Sequence, residues 1–196
     1  MHDNSSEKIP SFDDEYREKE EMFGNPYKEL QDYFSNLAKR GTVLDLGCGQ
    51  GRDALFLTSL GFQVTAVDSS QVGVAQMIKL SKEKGVKIKG IIDDVFNLQL
   101  LEKFDIILFD MLLHTFEKHQ QLELLTKYSS YLKKNGVLCI VFPDDMKTEN
   151  FMNILNSLPH KWDLLDEITI RDVPKLSDNA EDNKFTFVMI VVRLLS

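Results

Sequence analysis

The stretch VLDLGCGQGRDALFL, residues 43–57, decides the fold of this chain. It starts with apolar residues typical of a buried strand and ends with apolar residues at helical spacing. Between them Gly47, Gly49 and Gly51 alternate with other residues. Three glycines after a strand and before a helix make a tight turn without Cβ atoms, which lets a ligand lie against the backbone. The stretch therefore predicts a strand, a ligand-binding loop and a helix in succession.

The rest of the chain repeats this alternation. The apolar patterns predict strands over 42–46, 62–67, 87–92, 105–109 and 137–142, and two closing strands over 164–170 and 185–194. Helices are predicted from Asn25-Pro26 to Gly41, over 50–60, 72–84 and 119–134 with a stop at Asn135-Gly136, and from Phe151 to Leu158. The last two strands have no helix between them and must run antiparallel. The pattern predicts an α/β fold: a Rossmann-like three-layer sandwich with a mostly parallel seven-stranded sheet and a C-terminal antiparallel hairpin.

Composition restricts the partners. The 196 residues suit one domain, and a net charge of −8 makes nucleic acid a poor partner. Neither a signal peptide nor an apolar run long enough for a membrane span is visible, so a cytoplasmic protein without membrane contact is expected. Cys48 and Cys139 have no metal-ligand spacing and are expected to be buried thiols, with no metal site. The sequence leaves monomer and homodimer open.

The glycine loop fits two kinds of cofactor unequally. A dinucleotide fingerprint requires G-x-G-x-x-G, but Asp53 stands where its last glycine would be. Asp45, two residues before the first glycine, would repel a pyrophosphate. S-adenosylmethionine carries a sulfonium and an ammonium and no phosphate, so an acidic loop suits it better.

Acidic residues also follow the next two strands. Asp68 ends the second strand, where a carboxylate can accept hydrogen bonds from ribose hydroxyls. After the third strand, Asp94 can accept from an adenine amino group while the backbone N–H of Val95 donates to the ring. The alternative interpretation, a turn or helix cap, stays open for Asp68 and Asp94 and is favoured for Asp93.

Together these segments resemble the class I S-adenosylmethionine-dependent methyltransferases. VLDLGCGQGRDALFL resembles their first motif, and AVDSS, IIDDVFNL, FDIILFDMLLHTF and YLKKNGVLCIVF resemble the later ones, in order, over residues 42–142. Within the class, the chain is most similar to the small tellurite-resistance and thiol methyltransferase-like group. The resemblance implies one methyltransferase domain over 25–196, S-adenosyl-L-methionine as cofactor and a small-molecule methyl acceptor.

The resemblance also implies residue roles. The glycines would lie under the methionine part, and Asp45 would hold its ammonium. Asp110 and His114 are the candidate catalytic residues. Asp110 stands where other members often carry Asn or Ser, and either orients a substrate or only hydrogen-bonds the loop; His114 either acts as a general base or shapes the pocket. The implied cofactor-binding residues are Asp45, Gly47, Cys48, Gly49, Gly51, Asp68, Ser69, Asp94, Val95 and Asp110.

Two further regions carry expectations. The acidic N-terminal segment 1–24, with Phe12, Tyr16 and Phe23, either closes over the cofactor as a lid or packs as ordinary core. Loops 110–118, 143–150 and 171–183 are expected to contact the acceptor, although Pro143-Asp144-Asp145 alternatively forms a turn that caps the next helix. Rival functions are a non-catalytic cofactor-binding module, an aminopropyltransferase and, least favoured, a nicotinamide-dependent oxidoreductase.

Overall fold

A computed structural model of the chain describes residues 12–174 and 184–195. Its strands are β1 Thr42–Leu46, β2 Gln63–Asp68, β3 Lys89–Ile92, β4 Phe104–Asp110, β5 Leu132–Pro143, β6 Trp162–Pro174 and β7 Lys184–Leu194. Its helices are α1 Asp13–Glu18, α2 Lys28–Asn36, α3 Arg52–Ser59, α4 Gln71–Glu83, α5 Lys118–Ser129 and α6 Thr148–Ser157, and a 3-10 turn spans Leu113–Thr115. Within the described residues, no helix is long and apolar enough to cross a membrane.

The strands form one sheet in the order β3-β2-β1-β4-β5-β7-β6. The pairs from β3 to β5 are parallel, whereas β7 runs antiparallel to both β5 and β6. The predicted mostly parallel sheet with an antiparallel ending is confirmed. Chain order reverses beside β1, so the carboxyl ends of β1 and β4 flank the crevice in which such sheets bind ligands.

Alternate residues of β1 point into different layers. Leu44 and Leu46 pack in the core covered by α5 and α6, whereas Val43 packs in the core covered by α2, α3 and α4. All three side chains are fully buried. A sheet with helices on both faces is the predicted three-layer sandwich.

Helix α2 is shorter at both ends than predicted. It begins at Lys28 with Tyr27 as its N-cap, so the assignment of Asn25 as N-cap was wrong. It ends at Asn36 and not at Gly41, because the guanidinium of Arg40 donates hydrogen bonds to the carbonyls of Ser35 (2.9 Å) and Leu37. These bonds satisfy carbonyl groups that further helical turns would otherwise satisfy.

The predicted helix 119–134 was also too long. Helix α5 ends at Ser129, and β5 begins at Leu132, which pairs with Phe104. Asn135, with φ of +61°, lies inside the strand and not at a helix stop. The register of the β4–β5 pair shifts near this position, as in a β-bulge. Leu132 is 1% exposed, so strand pairing and burial outweigh its helical spacing.

Candidate active site

The glycine loop leaves β1 in a conformation that needs glycine. Gly47, Gly49 and Gly51 have φ of +75°, +50° and +84°. A Cβ atom on Gly49 would lie 2.6 Å from the hydroxyl oxygen of Tyr16, and one on Gly51 would lie 2.3 Å from Cγ of Met77. The glycines therefore permit both the left-handed backbone and the close approach of neighbouring side chains.

Asp68 connects this loop to the end of β2. Its Oδ2 accepts a hydrogen bond from the backbone N–H of Gly49 (2.7 Å), and its Oδ1 accepts one from Ser70 (2.8 Å). Burial raises the pKa of Asp68, while these N–H donors oppose the shift. Each carboxylate oxygen keeps a second lone pair, so Asp68 can still accept hydrogen bonds from a ligand. The adjacent Ser69 is exposed.

The acidic pair after β3 forms a turn. Oδ1 of Asp93 accepts from the N–H of Asp94 (2.8 Å), and Oδ1 of Asp94 accepts from the N–H of Phe96 (2.8 Å). Val95 is buried, and its carbonyl accepts from the hydroxyl of Tyr128 (2.7 Å). Both aspartates therefore cap the turn, and Asp94 retains further acceptor capacity for a ligand.

A charged cluster lies beside the glycine loop at the carboxyl ends of β1 and β4. We name it the Arg52 cluster: Arg52, Asp45, Asp53 and Asp110. The Arg52 guanidinium bonds to Asp53 (2.9 Å) and to Asp110. The side chains of these three residues are only 15%, 8% and 5% exposed, and Asp45 is 2% exposed. One buried guanidinium thus bonds to two of the three carboxyl groups, and its charge also acts on Asp45.

Two oxygens of this cluster have no hydrogen-bond partner among the described residues: Oδ2 of Asp45 and Oδ1 of Asp110. Burial, together with the charges of Asp53 and Asp110, raises the pKa of Asp45 well above its usual range. Burial also raises the pKa of Asp110, against the lowering influence of Arg52. Unpartnered buried oxygens are rare because desolvation without a hydrogen bond is costly, and they indicate a place for a ligand.

An aromatic wall borders the cluster. The Arg52 guanidinium lies 4.4 Å from the ring centre of Tyr27. The ring of Tyr27 packs edge-on against that of Phe187 of β7, with 5.6 Å between the ring centres. Sequence analysis missed Arg52, Tyr27 and Phe187. One signal in the sequence could have identified Arg52: the charged pair Arg52-Asp53 directly follows the glycines, at the start of a mostly apolar helix.

His114 lies in the 3-10 turn after β4. Its ring is half-buried, and its Nδ1 has no hydrogen-bond partner within the described ranges. Burial lowers the pKa of His114, and the charge of Asp145 opposes this shift. The imidazole is therefore neutral near pH 7 and able to accept a proton.

The N-terminal segment, here residues 12–24, is tied to the glycine loop. Tyr16 is 4% exposed and packs over Gly49. Gln50 accepts from the N–H of Met22 (2.7 Å) and donates to the carbonyl of Lys19 (2.8 Å). Phe12 and Phe23 are largely exposed. The segment covers part of the loop, and Gln50 was a residue that sequence analysis missed.

The predicted acceptor loop 143–150 follows β5 at the same sheet edge. The N–H of Asp144 donates to the carbonyl of Thr186 (3.2 Å), and that of Met146 donates to Pro143 (3.0 Å), so 143–146 form a turn before α6. This favours the turn interpretation of Pro143-Asp144-Asp145. In the predicted acceptor loop 171–183, residues 171–174 belong to β6, and residues 175–183 lie outside the described residues.

The fold and this loop arrangement are those of class I S-adenosylmethionine-dependent methyltransferases. The family model described as tellurite resistance protein TehB matches residues 12–167, and the chain belongs to this family.

Two relatives illustrate the similarity. The chain is 29% identical over 113 residues to a ubiquinone biosynthesis O-methyltransferase of Rickettsia canadensis. The aligned region covers 58% of the chain and 47% of that protein. It is 35% identical over 65 residues to a probable S-adenosyl-L-methionine-dependent methyltransferase TehB of Haemophilus influenzae, covering 33% and 23%. The chain thus spans less than half the length of these two relatives.

The structure of the N-methyltransferase NodS from Bradyrhizobium japonicum, in complex with S-adenosyl-L-homocysteine, superposes with a TM-score of 0.73. The superposition covers 95% of this chain and all of NodS, and the two sequences are 13% identical, so the likeness shows a shared fold.

Proposed function

We propose that this protein binds S-adenosyl-L-methionine at the carboxyl ends of β1 and β2 and transfers its methyl group to a small-molecule acceptor. The observation that carries the proposal is the unpartnered Oδ2 of Asp45, buried beside the glycine loop. A buried carboxylate oxygen without a donor is costly, and a cationic group of a ligand removes this cost. The ammonium of S-adenosylmethionine is such a group, whereas a pyrophosphate is not.

The remaining contacts follow the three turns of the sheet edge. The backbone of 47–51, including Cys48, would support the methionine part. Asp68, with the neighbouring Ser69, would bind the ribose hydroxyls through its spare lone pairs. Asp94 and the N–H of Val95 would bind the adenine. The family membership supports these placements, as does the fold shared with NodS, whose structure contains S-adenosyl-L-homocysteine.

When bound, the cofactor supplies a methyl carbon already activated by the sulfonium. The protein then has to align the acceptor with that carbon and exclude water, and such positioning contributes roughly 7–11 kcal/mol to lowering a barrier. Tyr16, which is 4% exposed and packs over the glycine loop, and the half-buried turn that carries His114 are our candidates to exclude water. His114, neutral at pH 7, is our candidate to take a proton from the acceptor, and Asp110 is our candidate to orient it.

The test is calorimetric titration of S-adenosylmethionine and of NADH into the wild type and into Asp68→Ala. We expect S-adenosylmethionine to bind in the micromolar range, NADH not to bind, and Asp68→Ala to weaken binding at least tenfold, equivalent to about 1.4 kcal/mol. Asp163→Ala is the matched control, because Asp163 is an exposed carboxylate at the amino end of β6, on the opposite edge of the sheet.

Two results would contradict parts of the proposal. Preferential binding of NADH, or no binding at all, removes the cofactor assignment. Binding of S-adenosylmethionine without turnover on thiol, amine, hydroxyl and oxyanion acceptors favours a non-catalytic binding module over an enzyme.

A further inference from the structure

The C-terminal turn of α5 is hydrogen-bonded to the turn that follows β3. The hydroxyl of Tyr128 donates to the carbonyl of Val95 (2.7 Å). The ammonium of Lys127 donates to the same carbonyl (3.1 Å) and to that of Phe96 (2.7 Å). Two neighbouring side chains of one helix thus hold the turn that carries Asp94, which is distant from them along the chain.

Both side chains are strong donors. Tyr128 is fully buried, and its ring packs edge-on against that of Phe109 of β4, with 5.7 Å between the ring centres. Burial raises the pKa of Tyr128, as do the charges of Asp93 and Asp94, so its hydroxyl stays protonated and able to donate. The ammonium of Lys127 is a charged donor, and hydrogen bonds from charged donors are stronger than those between neutral groups.

The carbonyl that they hold belongs to the peptide unit that orients Asp94. The other end of this unit is the N–H of Phe96, which donates to Oδ1 of Asp94 (2.8 Å). Because a peptide unit is planar, fixing its carbonyl also fixes its N–H. Donors at the carbonyl oxygen also polarise the unit and strengthen the hydrogen bond of its N–H. The orientation of the Asp94 carboxylate therefore depends on Lys127 and Tyr128.

The remaining groups of the turn are fixed locally. The N–H of Asp94 donates to Oδ1 of Asp93 (2.8 Å), and the carbonyl of Asp94 accepts from the N–H groups of Asn97 and Leu98, both at 2.9 Å. The N–H of Val95, which we place against the adenine ring, has no acceptor among the described residues. The peptide unit after Val95 depends instead on α5.

We infer that Lys127 and Tyr128 are positioning residues of the adenine site: from α5 they hold Asp94 where it accepts from the 6-amino group of adenine, and thereby exclude cofactors with a 6-oxo base. The inference rests on the proposed function and adds to it the side chains that determine base specificity. Hypoxanthine, the 6-oxo base, turns an oxygen toward the Asp94 carboxylate and an N–H toward the N–H of Val95. Both contacts are unfavourable while the turn is held, whereas a released turn adapts to them.

The experiment compares S-adenosylhomocysteine with S-inosylhomocysteine, which carries hypoxanthine in place of adenine. Each compound is titrated calorimetrically into the full chain at pH 7. We expect the wild type to bind S-adenosylhomocysteine at least about tenfold more tightly than S-inosylhomocysteine. Lys127→Met and Tyr128→Phe, which remove the donors and keep most of each side chain, should each lower this ratio at least about threefold.

Tyr131→Phe is the matched control. The hydroxyl of Tyr131, just after α5, accepts from the N–H of Leu100 (3.3 Å), which lies beyond the turn of Asp94. This variant should leave the ratio unchanged. A general loosening of the loop weakens the binding of both compounds alike, so the ratio of the two Kd values reports the orientation of Asp94 and not the stability of the protein.

Circular dichroism and thermal unfolding establish that the variants are folded. If Tyr128→Phe is not, Lys127→Met decides alone, because the side chain of Lys127 lies partly at the surface. An unchanged ratio in the folded variants, an equal loss in Tyr131→Phe, or equal binding of the two compounds to the wild type would overturn the inference. Binding of neither compound to the wild type would instead contradict the proposed function, so the two failures are distinguished.

Discussion

Replacing Asp45 by asparagine should make the protein more stable and weaken its binding of cofactor. The two side chains have nearly the same shape, so packing around this 2% exposed position is retained. The substitution removes a buried carboxyl group whose Oδ2 has no partner and whose neighbours include Asp53 and Asp110. Stability and function are therefore expected to change in opposite directions.

The magnitudes follow from this environment. Asparagine has no ionisable group, so Asp45→Asn removes the free-energy cost of a carboxyl group whose pKa is raised on folding, about 1.4 kcal/mol for a difference of one pH unit between the folded and unfolded pKa values. The free energy of unfolding at pH 7 should therefore rise by about 1–3 kcal/mol. For a chain of this length, such an increase in the free energy of unfolding raises Tm by about 2–12 °C. A hydrogen bond between charged groups contributes about 1.5–3 kcal/mol, so the Kd for S-adenosylmethionine should rise about 10- to 150-fold.

The difference in stability between wild type and Asp45→Asn should depend on pH. Because the pKa of Asp45 is raised in the folded protein, the unfolded chain loses this proton at lower pH than the folded chain does. Below about pH 4 both states are protonated, and wild type and variant should be equally stable. The advantage of Asp45→Asn should then grow as the pH rises from the unfolded-state pKa toward the raised folded-state pKa.

The assay combines thermal unfolding without cofactor, from pH 4 to pH 8, with calorimetric titration of S-adenosylmethionine at pH 7. Asp163→Asn is again the control for the loss of one negative charge. A variant that unfolds at a lower temperature than wild type at pH 7 and binds the cofactor with unchanged Kd would refute the reasoning on both counts.

Three other predictions follow from the same site. Gly51→Ala, whose Cβ would lie 2.3 Å from Cγ of Met77, should lower the free energy of unfolding by about 2–5 kcal/mol in chemical denaturation. Gly85 is the control, because it also has a positive φ but a Cβ there would meet no atom within 4 Å. An equal loss of stability in Gly85→Ala would argue against a contribution from the contact with Met77. Gln50→Ala should accelerate backbone amide hydrogen exchange in the N-terminal segment, and unchanged exchange would show that these hydrogen bonds do not hold it. Since burial lowers the pKa of His114, kcat/KM should fall with decreasing pH only below about pH 6.5. If the same fall persists in His114→Gln, the titrating group is a different residue.

The sequence predicted the parts of this protein that depend on neighbours along the chain. β1 was predicted with its observed bounds, and the glycine loop was predicted as a turn with close backbone approach. The order of strands and helices and the antiparallel ending were also readable, because hydrophobic period and turn residues act within a few positions. The error at α5 arose where Leu132 fits a helical stripe equally well but pairs with Phe104, a residue distant along the chain.

The Arg52 cluster was decided by the tertiary structure. Asp45, Arg52 and Asp110 are separated along the chain by up to 65 residues and come together only because β1 and β4 are neighbours in the sheet. The sequence singled out Asp45 and Asp110 individually. It did not show that the charge of Arg52 would act on both, or that Tyr27, backed by Phe187, would cover the guanidinium. Local sterics determine where a backbone turns, and they act between adjacent residues. The charge balance and the unpartnered oxygens of a buried site depend on which distant side chains lose their water together, and the folded sheet alone determines that.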